Sequence, residues 1–199
     1  MENFLYIWLD YKELKKMENY KNLEKLKFPI GKFSKPDFIS QNDLNNWISD
    51  IEIFPTNLMK LTQNLSTEKL NWIYRPDGWT IKQVIHHCAD SHINSFVRFK
   101  LALTEDLPII KPYEEAKWAE LIDGSSDNIK PSLQIVKGVH ARWVLLLKTF
   151  KEEELKRQLI HPANNKKYFL DEMIGLYAWH CNHHLAHIEQ ALLHKMKFN

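Results

Sequence analysis

Apolar residues recur at helical spacing in four windows of this chain, and most of its prolines fall outside those windows. In the first window Leu44, Trp47, Ile48, Ile51, Phe54, Leu58 and Leu61 mark one face of a helix over 41–65. Ser40-Gln41-Asn42-Asp43 supplies a capping box with Asp in place of Glu, and Pro55 is expected to kink or divide the helix. The second window opens on another capping box, Thr80-Ile81-Lys82-Gln83. It continues through Ile81, Val84, Ile85, Cys88, Ile93, Phe96, Val97 and Leu101, ending near Thr104. Pro131 suits the first turn of the third helix, whose stripe is Leu133, Val136, Val139, His140, Trp143, Leu146, Leu147 and Phe150. The fourth helix runs from Leu170 to about Lys195.

Between the second and third helices lies a long connection, 105–130, holding Pro108, Pro112 and Gly124. Loops of that length inside a domain usually have a role. A short helix is expected inside it, over 114–121, and another over 152–159; residues 161–167 read as a polar loop. No long window alternates with period two, so strands are not expected. The pattern predicts an all-α four-helix bundle with one long crossover connection. Bundles of this kind build metal sites from side chains on facing helices.

Composition adds little to fold class but excludes several functions. The chain has 199 residues, 44% hydrophobic, enough to bury a core without disulfides. Its formal charge of +2, from 27 basic and 25 acidic residues, argues against a nucleic-acid surface. Two cysteines, Cys88 and Cys181, are too few for a disulfide framework and fit a reducing compartment. There is no signal-peptide pattern and no stretch of about 20 apolar residues, so a cytoplasmic protein without a membrane segment is expected. Residues 1–26 are rich in Lys, Glu and Asn and read as an N-terminal helical extension to a domain over 27–199. Met-Glu-Asn occurs at both Met1 and Met17, which makes Met17 an alternative start.

The chemistry concentrates in histidines. His180-Cys181-Asn182-His183-His184-Leu185-Ala186-His187 places four imidazoles within a sector of roughly 100° on one helix. Neutral imidazole is the commonest protein metal ligand, and a pair at i and i+4 has the bite that zinc proteases use. His183/His187 and His180/His184 are both such pairs, with His180/His183 and His184/His187 at i and i+3, and periodicity does not choose among them. A third ligand is expected from His86-His87. His87 lies between the directions of Val84 and Cys88 and is the inward candidate, while His86 lies nearer Lys82 and is expected to be exposed. Asp90 is a candidate partner for a ligand ring and a candidate general base, ahead of Glu105, Glu114 and Glu115. His92 and His194 read as surface residues, His140 as core or pocket lining, and His161 as structural or at the mouth of a site. Both cysteines read as small buried hydrophobes.

Trp79-Thr80-Ile81-Lys82-Gln83-Val84-Ile85-His86-His87 and Ala178-Trp179-His180-Cys181-Asn182-His183-His184-Leu185-Ala186-His187-Ile188 together resemble the DinB/YfiT group of metal-dependent hydrolases. Tyr74-Arg75-Pro76-Asp77-Gly78-Trp79, Ala89-Asp90-Ser91-His92 and Lys111-Pro112-Tyr113 extend the likeness from about residue 27 to the C-terminus. The resemblance implies a DinB/YfiT-type bundle with one divalent metal per subunit, held by His87, His183 and His187, with His180 and His184 as neighbours. It also implies a homodimer acting on a small-molecule substrate. Zinc is the expected metal and nickel the next. Activation of a bound water for hydrolysis is the expected chemistry. The group is also similar to bacillithiol S-transferases, so thiol transfer is the alternative, and a metal-binding module without turnover the third.

Overall fold

A computed structural model describes residues 22–163 and 165–198. The expected extension at 1–26, apart from 22–26, and the alternative start at Met17 lie outside the described residues. Four long helices form the frame: α1 (Gln41–Thr62), α2 (Ile81–Thr104), α3 (Lys130–Leu147) and α4 (Leu170–His194). Their starts follow the sequence signals. The Ser40 amide donates to Asp43 Oδ2 at 2.8 Å, and Ser40 Oγ accepts from the Asp43 amide at 3.2 Å. Thr80 and Gln83 close the same reciprocal box on α2, at 3.0 and 3.4 Å. Each box satisfies two backbone donors that the helix itself leaves unpaired. Pro131 occupies the first turn of α3.

Pro55 does not divide α1, which continues as one helix through it. A proline inside a helix has no N–H to give the carbonyl four residues back. That carbonyl belongs to Ile51, which is wholly buried, and its partner comes from another helix.

In the principal contacts α1 packs against α3 and α4, and α2 against the same two helices. The order around the bundle is therefore α1, α3, α2, α4, and helices consecutive in the chain at α1/α2 and α3/α4 lie across its diagonals. Ile51, Phe54 and Leu58 of α1 meet Ile85 and Phe99 of α2, Trp143 and Leu147 of α3, and Ile174 and Ile188 of α4 in one apolar core. A Cβ added at Gly175 would stand 2.9 Å from ring carbons of Trp47, so α1 and α4 approach through the missing side chain. None of the described helices is long and apolar enough to cross a membrane.

The expected helix over 152–159 stops at Leu155, and the expected polar loop becomes a hairpin. β1 (Gln158–His161) pairs antiparallel with β2 (Lys166–Phe169), in register Gln158 with Phe169 and His161 with Lys166. Strands of four residues are too short to reveal period-two alternation in a sequence. The long connection is tied to this hairpin, since the Ile110 amide donates to the Ile160 carbonyl at 3.0 Å and the Ile160 amide to the Pro108 carbonyl at 2.9 Å. Arg157 donates to the carbonyls of Ala102 and Glu105 at 2.7 and 2.6 Å, satisfying acceptors at the end of α2. A single helical turn, Glu115–Trp118, forms within the connection.

Phe54 is fully buried and packs its ring 5.2 Å from that of His92 and 5.3 Å from that of His140. Phe54→Ala leaves a cavity there and should cost about 3–5 kcal/mol. Urea denaturation would show it as a lowered midpoint, and an unchanged midpoint would contradict this account of the core.

Candidate metal centre

The site lies where α2 faces α4. His87 points inward between Val84 and Cys88, as its helical phase requires, and is buried. Across from it stand His180 and His184, one turn apart on α4. His87 Nε2 lies 3.3 Å from His180 Nε2, and His184 Nε2 lies 3.2 Å from the same atom. Ligand atoms held by zinc at about 2.0–2.1 Å in a tetrahedron stand about 3.3–3.4 Å apart. The two separations from His180 Nε2 match an edge of such a tetrahedron, and the three ligand atoms lie within 4.8 Å of one another. Burial holds the His87 ring down to about 4, with His183 adding to the effect, and holds His180 and His184 well below the ordinary histidine value. All three are therefore neutral at pH 7 and have lone pairs to offer. The His180 ring is enclosed, with His87 and His184 beside its Nε2 and His92 beside its Nδ1.

The structure gathers His87 with His180 and His184, and His183 and His187 stand next to them, near enough to His87 to affect its charge or be affected by it. His183 stacks on Trp179, centroids 4.4 Å apart, and on Phe28 at 5.9 Å, and its Nδ1 is buried without a hydrogen-bond partner among the described residues. His187 stacks on Tyr74 at 3.8 Å and donates Nε2–H to the Lys27 carbonyl at 3.1 Å. All four imidazoles share one sector of α4. Which pair faces α2 is set by how the whole helix is rotated in the bundle, a tertiary property.

Two other histidines, His86 and His92, depart from expectation, and His140 does not. His86 is buried, and its Nε2–H donates to the Ser126 carbonyl at 2.9 Å while Nδ1 accepts from Ser132 at 2.7 Å. The long connection covers that face of α2. It also brings Asp127 to Lys82, at 2.7 Å, so the residues that looked exposed are not. His92 is not on the surface but 0% exposed. It follows Cys88 by four residues and Ile85 by seven, a core phase that its polarity concealed. His140 is a core residue, 1% exposed.

His92, His140 and Cys181 also lie close enough to suggest a second metal group. His92 Nδ1 and His140 Nε2 are 2.7 Å apart, a hydrogen bond and too close for two ligands of one ion. Burial pushes the Cys181 thiol up, so it stays protonated, as a packed apolar residue does. Cys88 behaves the same way. Trp79 packs 4.8 Å from His87 and shields it, as Trp179 shields His183. Asp90 is half-buried. Its carboxyl is raised by burial and by Asp123 of the long connection, against a lowering by His86.

These neutral rings make the metal-free protein acid-sensitive. His87 and His140 are each held at about 4 against an ordinary 6.5. Below pH 6.5 the unfolded chain takes up protons that the folded chain refuses, so stability falls as pH drops towards about 4. Each such ring adds about 1.4 kcal/mol per pH unit to the slope. Urea midpoints of the metal-free chain should decline steadily across this window, and a flat profile would mean that the rings are not held neutral.

The described geometry can be set beside known proteins. Residues 51–188 match the model of the DinB superfamily. A relative from Halalkalibacterium halodurans, named a "putative metal-dependent hydrolase", is 44% identical over 84% of this chain and 96% of its own length. YfiT of Bacillus subtilis, which has the same designation, is 40% identical over 83% of this chain and 93% of its own. The solved YfiT structure, described as an unusual four-helix bundle, superposes with a TM-score of 0.83 at 38% identity, covering 88% of this chain and 99% of YfiT. A mycothiol-dependent maleylpyruvate isomerase shares the fold alone, with a TM-score of 0.54 at 16% identity. The match over most of the chain and these identities place it plainly: the chain belongs to the DinB superfamily.

Proposed function

We propose that this chain is a metal-dependent hydrolase of small molecules whose metal is held by His87, His180 and His184. The convergence of three neutral imidazoles, their ligand atoms within 4.8 Å of one another, carries this reading. Three protein ligands is the arrangement of a catalytic site, because a structural site would close with a fourth. Imidazole-only donors suit zinc, nickel, copper or iron, and we take zinc first and nickel second. When bound, the metal supplies a water of lowered pKa and polarises the scissile bond.

The protein's own groups do the rest. Trp79 and the apolar face of α2 keep water from the His87 side. Asp90 lies three residues beyond His87, and residues at that spacing are neighbours on a helix surface. Its raised carboxyl suits a group that takes up a proton during the reaction. Glu115, raised by burial in the long connection, is the second acid in the region.

His87→Ala, His180→Ala and His184→Ala should each lose bound metal, together with hydrolysis of a panel of activated esters and amides. His183→Ala should keep its metal. Metal loss in His183→Ala with retention in His180→Ala would overturn the ligand set. Thiol-dependent dye conjugation without hydrolysis would overturn the reaction class. Asp90→Asn should keep the metal and lose about 100-fold or more in rate; an unchanged rate would remove Asp90 from the mechanism.

A further inference from the structure

Further along the seam between α2 and α4, hydrogen-bond donors gather without acceptors to match them. Arg98 follows His87 by eleven residues. At about 100° per residue it returns to within about 20° of the same direction. Its Nη1 donates to the Tyr177 hydroxyl at 3.4 Å and its Nη2 to the Lys111 carbonyl at 3.2 Å. Tyr177, on α4, links this group back to the histidine cluster, its ring centroid 5.7 Å from that of His180. Tyr113, on the long connection, lies beside Ser91 of α2 and within electrostatic reach of Tyr177. Arg98 and Tyr113 are half-buried, so the group borders both the interior and solvent.

We propose that Arg98, with the hydroxyls of Tyr113 and Tyr177, binds a carboxylate of the substrate, so that the molecule hydrolysed at the histidine centre is a monoanion bearing its charge away from the scissile bond. This rests on the hydrolase function proposed above, and not on which α4 histidines hold the metal.

The balance of donors and acceptors points to such a ligand. A guanidinium can only donate, so the Tyr177 oxygen serves as its acceptor and the Tyr177 O–H is left to donate. The Tyr113 hydroxyl is buried and makes no well-formed hydrogen bond among the described residues. A hydroxyl buried in that way is costly, and an incoming acceptor recovers the cost. No carboxylate is among the hydrogen-bond partners of Arg98 in the described residues. His161 adds a donor at the edge. Burial, with the charge of Arg98 second, holds its ring below the ordinary value. The Ala163 amide donates to His161 Nδ1 at 3.3 Å, which places the proton of the neutral ring on Nε2.

An ionised carboxylate only accepts, and its two oxygens match the guanidinium fork. A dianionic phosphate fits less well, because Glu115 and Asp90 both stand within electrostatic reach of Tyr113. An arginine that merely fastened the long connection through Lys111 would not need an unpaired tyrosine hydroxyl beside it.

The test compares p-nitrophenyl half-esters of straight-chain dicarboxylic acids, from succinate to sebacate, with methyl-terminated esters of equal length on the zinc-loaded chain. The parent should favour the half-ester in kcat/KM by about 10-fold or more at one optimal length, as a charge-assisted hydrogen bond would give. Arg98→Gln should bring that ratio close to one, and Arg98→Lys should keep part of it. Tyr113→Phe leaves the Lys111 tether and the ring contact with Trp118 in place, and should lower the ratio several-fold through KM. Absence of the preference at every length in the parent, or an undiminished preference in Arg98→Gln, would overturn the proposal. Suberate titrated into the metal-free, ¹⁵N-labelled full chain is the second measurement. The Arg98 Nε–H signal should shift saturably, and no saturable shift would overturn the carboxylate site. That shift without hydrolysis of either ester series would refute the hydrolase function instead and support the site, so the two failures read out separately.

Discussion

A buried imidazole must place both of its nitrogens, and this requirement organises the interior of the bundle. Leucine or phenylalanine at the same positions would ask only for volume. Here His86, His92, His140 and His187 ask for donors and acceptors of the correct kind, and the helices are set at the distances that provide them. The bond from His140 to the Ile51 carbonyl is the anchor, because its direction cannot be reversed.

The surrounding structure seals the histidine cluster. The long connection, fastened to the hairpin through Ile110 and Ile160, covers the His86 side of α2 and buries residues that would otherwise face water. Trp79, Trp179 and Tyr74 lie against His87, His183 and His187. These dry walls strengthen the electrostatic interactions among the enclosed rings.

The four helices, both capping boxes and the inward direction of His87 were legible in the sequence, because each depends on residues within one or two turns. The hairpin was not, since four-residue strands leave no period to read. His92 was legible by phase, four residues after Cys88, but a polar side chain at a core position is easily taken for a surface one. The α4 pair was beyond reach for a different reason. His180, His183, His184 and His187 occupy one sector, and a small rotation of the helix exchanges one pair for the other. That rotation is fixed by distant packing, including the Trp47 ring seated where Gly175 has no side chain. The family resemblance implied His183 and His187; the described geometry gathers His180 and His184 around His87.

Pro55 is, by helix propensity, the poorest residue in α1. A redesign guided by stability alone would replace it first, and the helix would gain a hydrogen bond. It would also give the Ile51 carbonyl a local donor to share with His140. Two of the bundle's demands meet at this one oxygen, regularity of a helix and polarity of a distant ring. The sequence sacrifices the first, in keeping with a protein whose function sets a limit on its own stability.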